Sequence, residues 1–251
     1  MTDPLASLSY RDVARTIDHS LLRPELDDAF IEDGCRLAAR YEVASVCVRP
    51  PDVARARAIL DGTDVAVGTV VGFPHGSHAT ETKVFEARRA LADGATELDM
   101  VIQIGALKSG RDEDVRRDIE AIVEVGHAAG AIVKVILENA YLTDDEKVRG
   151  SRLTEAAGAD FVKTSTGFAP SGATHEDLAL MRRTVSPRVQ VKAAGGVRTL
   201  DALVAVMALG VTRVGATATA TILDDFRARK SGAAREPVQP GVGLASGEGG
   251  Y

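Results

Sequence analysis

Lys163 and Lys192 each close a short apolar run and open a glycine turn, in Ala159-Asp-Phe-Val-Lys-Thr-Ser-Thr-Gly167 and Val189-Gln-Val-Lys-Ala-Ala-Gly-Gly196. Most cationic positions in this chain are arginine, which keeps its proton. A lysine can release its proton and attack a carbonyl. Two lysines at such turns point to carbon–carbon chemistry through an imine. Burial disfavours an ammonium, and a second cation nearby disfavours it further. Lys163 is therefore the candidate nucleophile and Lys192 the neighbouring cation. Asp99, in Glu97-Leu-Asp-Met100, can pair with Lys192 and relay protons to and from the reacting carbon. Lys134 stands mid-run in Val133-Lys-Val135 and reads as a structural ion-pair partner.

Three turns resemble anion cradles: Thr164-Ser-Thr166-Gly167, Ala194-Gly195-Gly196 and Gly215-Ala-Thr217-Ala218. Glycine lets backbone N–H groups approach a phosphate closely, and a following helix N-terminus favours negative charge. His19, His75 and His78 are too irregularly spaced for a His-Glu-x-x-His metal site, so neither metal nor cofactor is expected. Cys47 reads as a small buried apolar residue.

The elements that must position these groups alternate along the chain. Strands are expected over Arg15–His19, Ala44–Val48, Val65–Phe73, Glu97–Ile102, Ala131–Leu137, Phe161–Lys163, Arg188–Ala193 and Arg213–Gly215. Several are near-continuous in Val, Ile and Ala, as strands covered on both faces require. Helical periodicity fills the gaps. Asp27–Tyr41 carries Phe30, Ile31, Leu37 and Ala38, and Asp112–Ala129 carries Val115, Ile119, Ile122 and Val123. Thr143 with Glu146 forms a capping-box pattern, and Thr174 and Thr199 open two further helices. Eight strand–helix repeats in 251 residues predict an α/β fold, a single (β/α)₈ TIM barrel over residues 1–230. An open doubly wound sheet is the architectural alternative. From Ser231 to Tyr251 the chain turns to Gly, Ala, Pro and Ser, the composition of a flexible tail.

In a barrel the C-terminal strand ends ring the face where catalysis takes place. Those ends gather Asp18 and His19, Cys47, Asp99, Glu138, Lys163, Lys192 and Gly215, with Asp18 as an accessory carboxylate. A net charge of −6 argues against a nucleic-acid partner. No apolar run approaches the length that spans a bilayer, and the N-terminus has neither the basic nor the apolar region of a secretory signal. Two cysteines, Cys35 and Cys47, fit a reducing compartment, so the cytoplasm is expected.

The segments Ile17-Asp-His-Ser-Leu-Leu22, Ala44-Ser-Val-Cys-Val48, Val71-Gly-Phe-Pro-His-Gly76, Glu97-Leu-Asp-Met-Val-Ile102, Val133-Lys-Val-Ile-Leu-Glu138, Ala159 to Gly167 and Val191 to Thr199 together resemble the 2-deoxyribose-5-phosphate aldolase family over nearly the whole chain. The resemblance implies a metal-independent class I aldolase on a (β/α)₈ barrel. It implies reversible cleavage of 2-deoxy-D-ribose 5-phosphate to D-glyceraldehyde 3-phosphate and acetaldehyde, by a homo-oligomer (dimer or tetramer). Lys163 then matches the Schiff-base lysine, Lys192 the lysine that perturbs it, and Asp99 the proton relay. Gly167, Gly195 and Gly196 match phosphate-binding backbone. Three positions depart from the common pattern: Thr217-Ala218 replaces a Ser-Ser pair, Ser20 a threonine, and Phe168 a lysine carried by some members. The terminal Tyr251 resembles the tyrosine that ends some members and could assist proton transfer. Two rival readings are an imine-forming aldolase for another sugar phosphate or keto acid, and a non-catalytic sensor of a phosphorylated metabolite.

Overall fold

Helix α1 (Tyr10–Ala14) opens the fold, and the strands and helices then alternate. They run β1 (Ile17–Leu21), α2 (Asp28–Tyr41), β2 (Ser45–Val48), α3 (Val53–Ile59), β3 (Ala66–Val71) and α4 (Thr80–Ala92). Next come β4 (Glu97–Val101), α5 (Ile104–Lys108), α6 (Asp112–Ala128), β5 (Ile132–Ile136) and α7 (Asp144–Ala156). The last are β6 (Phe161–Lys163), α8 (His175–Thr184), β7 (Gln190–Ala194), α9 (Leu200–Ala208), β8 (Val211–Ala216) and α10 (Thr219–Lys230). The computed structural model describes residues 5–233, so Tyr251 and most of the expected tail lie outside the described residues.

All neighbouring strands pair in parallel, and β8 returns to pair with β1, closing the barrel and leaving no sheet edge. The TIM barrel expected from the repeat is the fold observed. Local signals place the helices. Asp27, Thr143, Thr174 and Thr199 each accept a backbone N–H three residues on, and Thr143–Glu146 closes a full capping box. Strand β1 starts at Ile17 rather than at the expected Arg15. Arg15 instead caps α1, and the Thr16 hydroxyl donates to the Asp12 carbonyl at 2.8 Å.

The apolar core sits between strands and helices, not inside the barrel. Leu98, Met100, Val133, Val135, Val162 and Val191 point outward from the strands and are buried against Ile31, Ile119, Ile122, Leu178 and Leu203. Burial of each such side chain contributes about 1.5–3 kcal/mol. Alternation along the strands leaves the inward positions to other residue types. Cross-strand register brings Asp18 beside Ser45, Asp99 beside Lys134, and Lys163 beside Lys192, with Lys192 in turn beside Arg213. At the mouth, Leu22, Cys47 and Val70 form a small separate apolar cluster with Phe73 packed on it. Among the described residues no helix is long and apolar enough to cross a membrane.

Candidate active site

Lys163 is the last residue of β6, and Lys192 stands in β7 beside it; each side chain is about 1 % exposed. Their amines converge on one atom. Lys163 Nζ donates to Asp99 Oδ2 at 2.8 Å, and Lys192 Nζ donates to the same oxygen at 2.7 Å. The other oxygen, Asp99 Oδ1, accepts from Lys134 Nζ at 2.7 Å. The sequence expectation that Asp99 pairs with Lys192 thus understates the arrangement, since one carboxylate gathers three lysines.

The cluster extends across the barrel. Lys134 Nζ also donates to Glu97 at 2.7 Å, and Lys192 Nζ lies 2.5 Å from Asp18 Oδ2. Arg213 bridges Asp18 and Glu97 at 2.6 Å each, and the Ser45 hydroxyl donates to Asp18 Oδ1 at 2.8 Å. Four cations therefore face three carboxylates. Lys134 touches three carboxylates, Lys192 two and Lys163 one. Lys163 is the least neutralised amine and lies nearest the strand ends. Burial alone would push Asp99 up, but the ammonium groups of Lys134, Lys163 and Lys192 outweigh it and hold that carboxyl well below its ordinary range. Asp18 is likewise held down, with Arg213, Lys192 and Lys134 overcoming its burial. Lys134 is driven the other way, since Asp99, Glu97 and Asp18 overcome the penalty of burying its charge. It is the structural ion-pair partner its mid-strand position predicted.

Cys47 is buried near this cluster. Burial, with the Asp99 charge added, pushes its thiol up to about 11, which suits the apolar wall and not a thiolate nucleophile. His19 is buried in the middle of β1, with Nδ1 2.9 Å from the Thr219 hydroxyl at the start of α10. Burial pushes its imidazole down to about 4, so it stays neutral at working pH. Among the described residues no group of three His, Cys, Asp or Glu side chains is placed to hold a metal ion.

The glycine turns come together beside the cluster. Gly167, Gly195 and Gly196 all take positive φ, at 91°, 80° and 96°. A Cβ on Gly195 would stand 2.8 Å from the Cα of Gly172, so glycine is required where the turn after β6 lies on the turn after β7. The Ala173 N–H donates to the Ala194 and Gly195 carbonyls, fastening the two turns together. Ala194 pairs in register with Gly215, and the exposed Thr217 follows, ahead of α10. The N-cap of α10, Ala218, supplies no side-chain acceptor to the first N–H groups of that helix. Thr166 is buried, and both its N–H and its hydroxyl donate to Glu138.

A groove of about 780 Å³ runs from Thr217, His19 and Ser20 across to Phe30 and Leu37. A second, of about 660 Å³, is lined by Arg23, Tyr141, Gly167 and Phe168.

Of the expected site residues, Lys163, Lys192, Asp99 and Asp18 are brought within direct contact. Gly167, Gly195, Gly196 and Thr217 line adjoining turns, while Gly215 lies within β8. Sequence reading missed Arg213 and Glu97 as members of the cluster. The available signal was a charged residue at an inward position of an otherwise buried strand, two residues before Asp99 and two before Gly215.

Residues 13–234 match the DeoC/LacD family aldolase profile. The chain is 50 % identical over 213 residues to a deoxyribose-phosphate aldolase of Geobacillus sp. (strain WCH70), covering 85 % of this chain and 95 % of that one. It is 50 % identical over 218 residues to a deoxyribose-phosphate aldolase of Thermococcus gammatolerans, covering 86 % and 97 %. The fold matches the tetrameric structure of deoxyribose phosphate aldolase from Aeropyrum pernix with a TM-score of 0.83, at 31 % identity over 90 % of this chain and 96 % of that one.

Proposed function

The chain belongs to the DeoC/LacD family of aldolases, and on that premise we propose that it is a Schiff-base aldolase that reversibly cleaves 2-deoxy-D-ribose 5-phosphate into D-glyceraldehyde 3-phosphate and acetaldehyde. The observation that carries this reading is the meeting of Lys163 and Lys192 on a single oxygen of Asp99 at the barrel's catalytic end.

The Lys163 amine, as the free base, adds to C1 of the open-chain sugar. Loss of water gives an iminium, which can accept the electron pair of the C2–C3 bond. The C3 hydroxyl gives up its proton, through water held by Asp99 or Lys192, and C3 becomes the aldehyde carbon of glyceraldehyde 3-phosphate. The C2–C3 electrons form an enamine. Protonation at C2 and hydrolysis of the resulting imine release acetaldehyde and restore Lys163. Four cations against three carboxylates leave one amine whose charge the cluster does not balance. Lys163, with one carboxylate, is the amine that can react without breaking the rest of the network. Gly167, Gly195, Gly196, Gly215 and Thr217 supply the phosphate clamp, with Thr166 shaping its first turn. That clamp holds the reacting carbon against the amine. Asp18 supports the site by holding Lys192. Tyr251 acts on the enamine proton from the far end of the chain. The aldolase works in the cytoplasm as a homo-oligomer, a reading supported by the tetrameric relative and by exposed Phe30 and Phe85, which are 55 % and 73 % exposed.

Borohydride reduction in the presence of acetaldehyde tests the assignment. An ethyl group is expected on Lys163, located by peptide mass mapping, and Lys163→Ala is expected to lose both adduct and turnover. Full turnover by Lys163→Ala would refute the role. A panel of sugar phosphates separates this reading from an aldolase for another substrate, and binding without any adduct would indicate a sensor. Removal of Tyr251 should slow proton exchange of the bound enamine, and unchanged exchange would dismiss that residue.

A further inference from the structure

Glu138 is a buried carboxyl at the barrel mouth that the cleavage steps do not use. It follows β5 by two residues and is about 1 % exposed. Among the described residues it takes part in no ion pair, unlike Asp18, Glu97 and Asp99. Its backbone lies in the left-handed region at φ 58°, which a residue with a Cβ adopts at a cost. The other such residue described, Glu42, caps the C-terminus of α2, where that conformation is ordinary. Glu138 ends no helix. A strained backbone beside an active centre is often held there for a purpose.

Its side chain shows that purpose. The Thr166 N–H donates to Glu138 Oε2 at 3.2 Å, and the Thr166 hydroxyl donates to the same oxygen. That hydroxyl in turn accepts the Phe168 N–H at 3.0 Å. The turn Thr166-Gly167-Phe168 is thus closed from inside by one carboxyl. Among the described residues, backbone bonds stitch the segment before it, from Leu137 N–H to the Lys163 carbonyl at 3.0 Å and from Asn139 N–H to the Thr164 carbonyl at 2.9 Å. Lys163 itself is held by its strand and by Asp99 and, among the described residues, makes no hydrogen bond or ion pair with Glu138, although that carboxyl feels the charge of its amine; its position does not depend on Glu138. The turn does.

We propose that Glu138 is a positioning residue that shapes the Thr166–Phe168 turn for the substrate's phosphate and so sets the preference for phosphorylated over unphosphorylated sugar. This rests on the aldolase reading above. Burial pushes the Glu138 carboxyl up, towards the neutral acid, a form that does not repel a nearby phosphate. A glutamine has the same shape, offers the same acceptor and carries no charge.

The test compares 2-deoxyribose 5-phosphate with 2-deoxyribose as substrates. Glu138→Ala should raise KM for the phosphorylated sugar tenfold or more, while kcat/KM for the unphosphorylated sugar falls less than threefold. Glu138→Gln should restore KM for the phosphorylated sugar to within threefold of the unmodified chain. Thr166→Val removes the bridging hydroxyl and should raise the same KM alone. Combined with Glu138→Ala it should add little, since both break one bridge. Should Glu138→Ala fold poorly, the Thr166→Val and Glu138→Gln pair carries the same comparison. Equal losses on both sugars, or no change in KM, would overturn the proposal. If the unmodified chain yields no acetaldehyde adduct with borohydride, the aldolase reading itself fails and the proposal falls with it. An adduct together with an unsplit substrate preference rejects the proposal alone.

Discussion

Asp99 has more to do than any other side chain of the site, because two amines share its Oδ2 and a third holds its Oδ1. Asp99→Asn would remove the negative charge and turn an amide N–H₂ towards at least one ammonium. Loss of proton relay typically costs two to four orders of magnitude in rate. We expect kcat for aldol cleavage to fall at least about 100-fold. Borohydride trapping of acetaldehyde on Lys163 should persist more slowly, since imine formation needs the amine and not the relay. Steady-state turnover and the yield of trapped adduct check the two halves separately, and unchanged kcat would remove Asp99 from the chemistry. At this scale the sequence was legible where residue type limits chemistry. A lysine before a glycine turn is uncommon, and Lys163, Lys192 and Asp99 stand out for that reason. Arg213 and Glu97 did not stand out. Nothing in a linear string reveals that Asp18, Glu97 and Arg213, far apart along the chain, share one barrel interior.

Elements were legible through their periods and caps. Thr143 with Glu146, Thr174 and Thr199 mark helix starts because a side-chain oxygen must meet an orphan N–H. The small helix α1 was missed. Its five residues are too few to show a period, and its Ser9–Asp12 capping box is the one local sign of it. Turns after strands were visible as glycine, but their mutual packing, with Gly172 on Gly195, depends on the closed barrel. His19 shows how one element is tied to another. Its Nδ1 joins the middle of β1 to the first residue of α10. Burial lowers its value from 6.5 to about 4, so between those limits the unfolded chain binds a proton that the folded chain refuses. Stability from this group is therefore complete above about pH 6.5 and falls as pH drops towards 4. Between pH 7 and pH 5 the loss is about 2 kcal/mol. Urea unfolding of the unmodified chain and of His19→Gln at both pH values checks it. The variant should be less stable at pH 7 and lose about 2 kcal/mol less on acidification. Parallel losses in the two proteins would show that His19 is not the group titrating.

The whole molecule keeps its apolar core outside the strands and a charged one inside them. Seven of the eight strands send polar side chains into that interior: Asp18, Ser45, Glu97 with Asp99, Lys134, Lys163, Lys192 and Arg213. Such a cluster is stable only while each buried charge has a partner, and the balance here is uneven, with four cations and three carboxylates. The two signs should then respond differently to removal. Lys134→Met takes away one of the four cations and leaves three facing three carboxylates. Glu97 keeps Arg213, Asp99 keeps Lys163 and Lys192, and Asp18 keeps Lys192 and Arg213. We expect it to cost about 1 kcal/mol, because methionine fills most of the space and no carboxylate is left alone. Glu97→Gln keeps the volume but leaves four cations with two carboxylates in a dry interior. Breaking one side of a buried pair in this way costs about 3–5 kcal/mol. For a domain of this size that lowers Tm by roughly 10 °C. Acid should act in the same direction as Glu97→Gln, since the Asp18 and Asp99 carboxyls are held below their ordinary values. Their contribution is present above the unfolded-state value near pH 4 and is lost as pH falls through the folded-state values. Thermal melts of the two variants at pH 7 decide the matter. A Lys134→Met variant that melts below Glu97→Gln would mean that the interior is short of positive charge, and the surplus amine assigned to Lys163 would not exist.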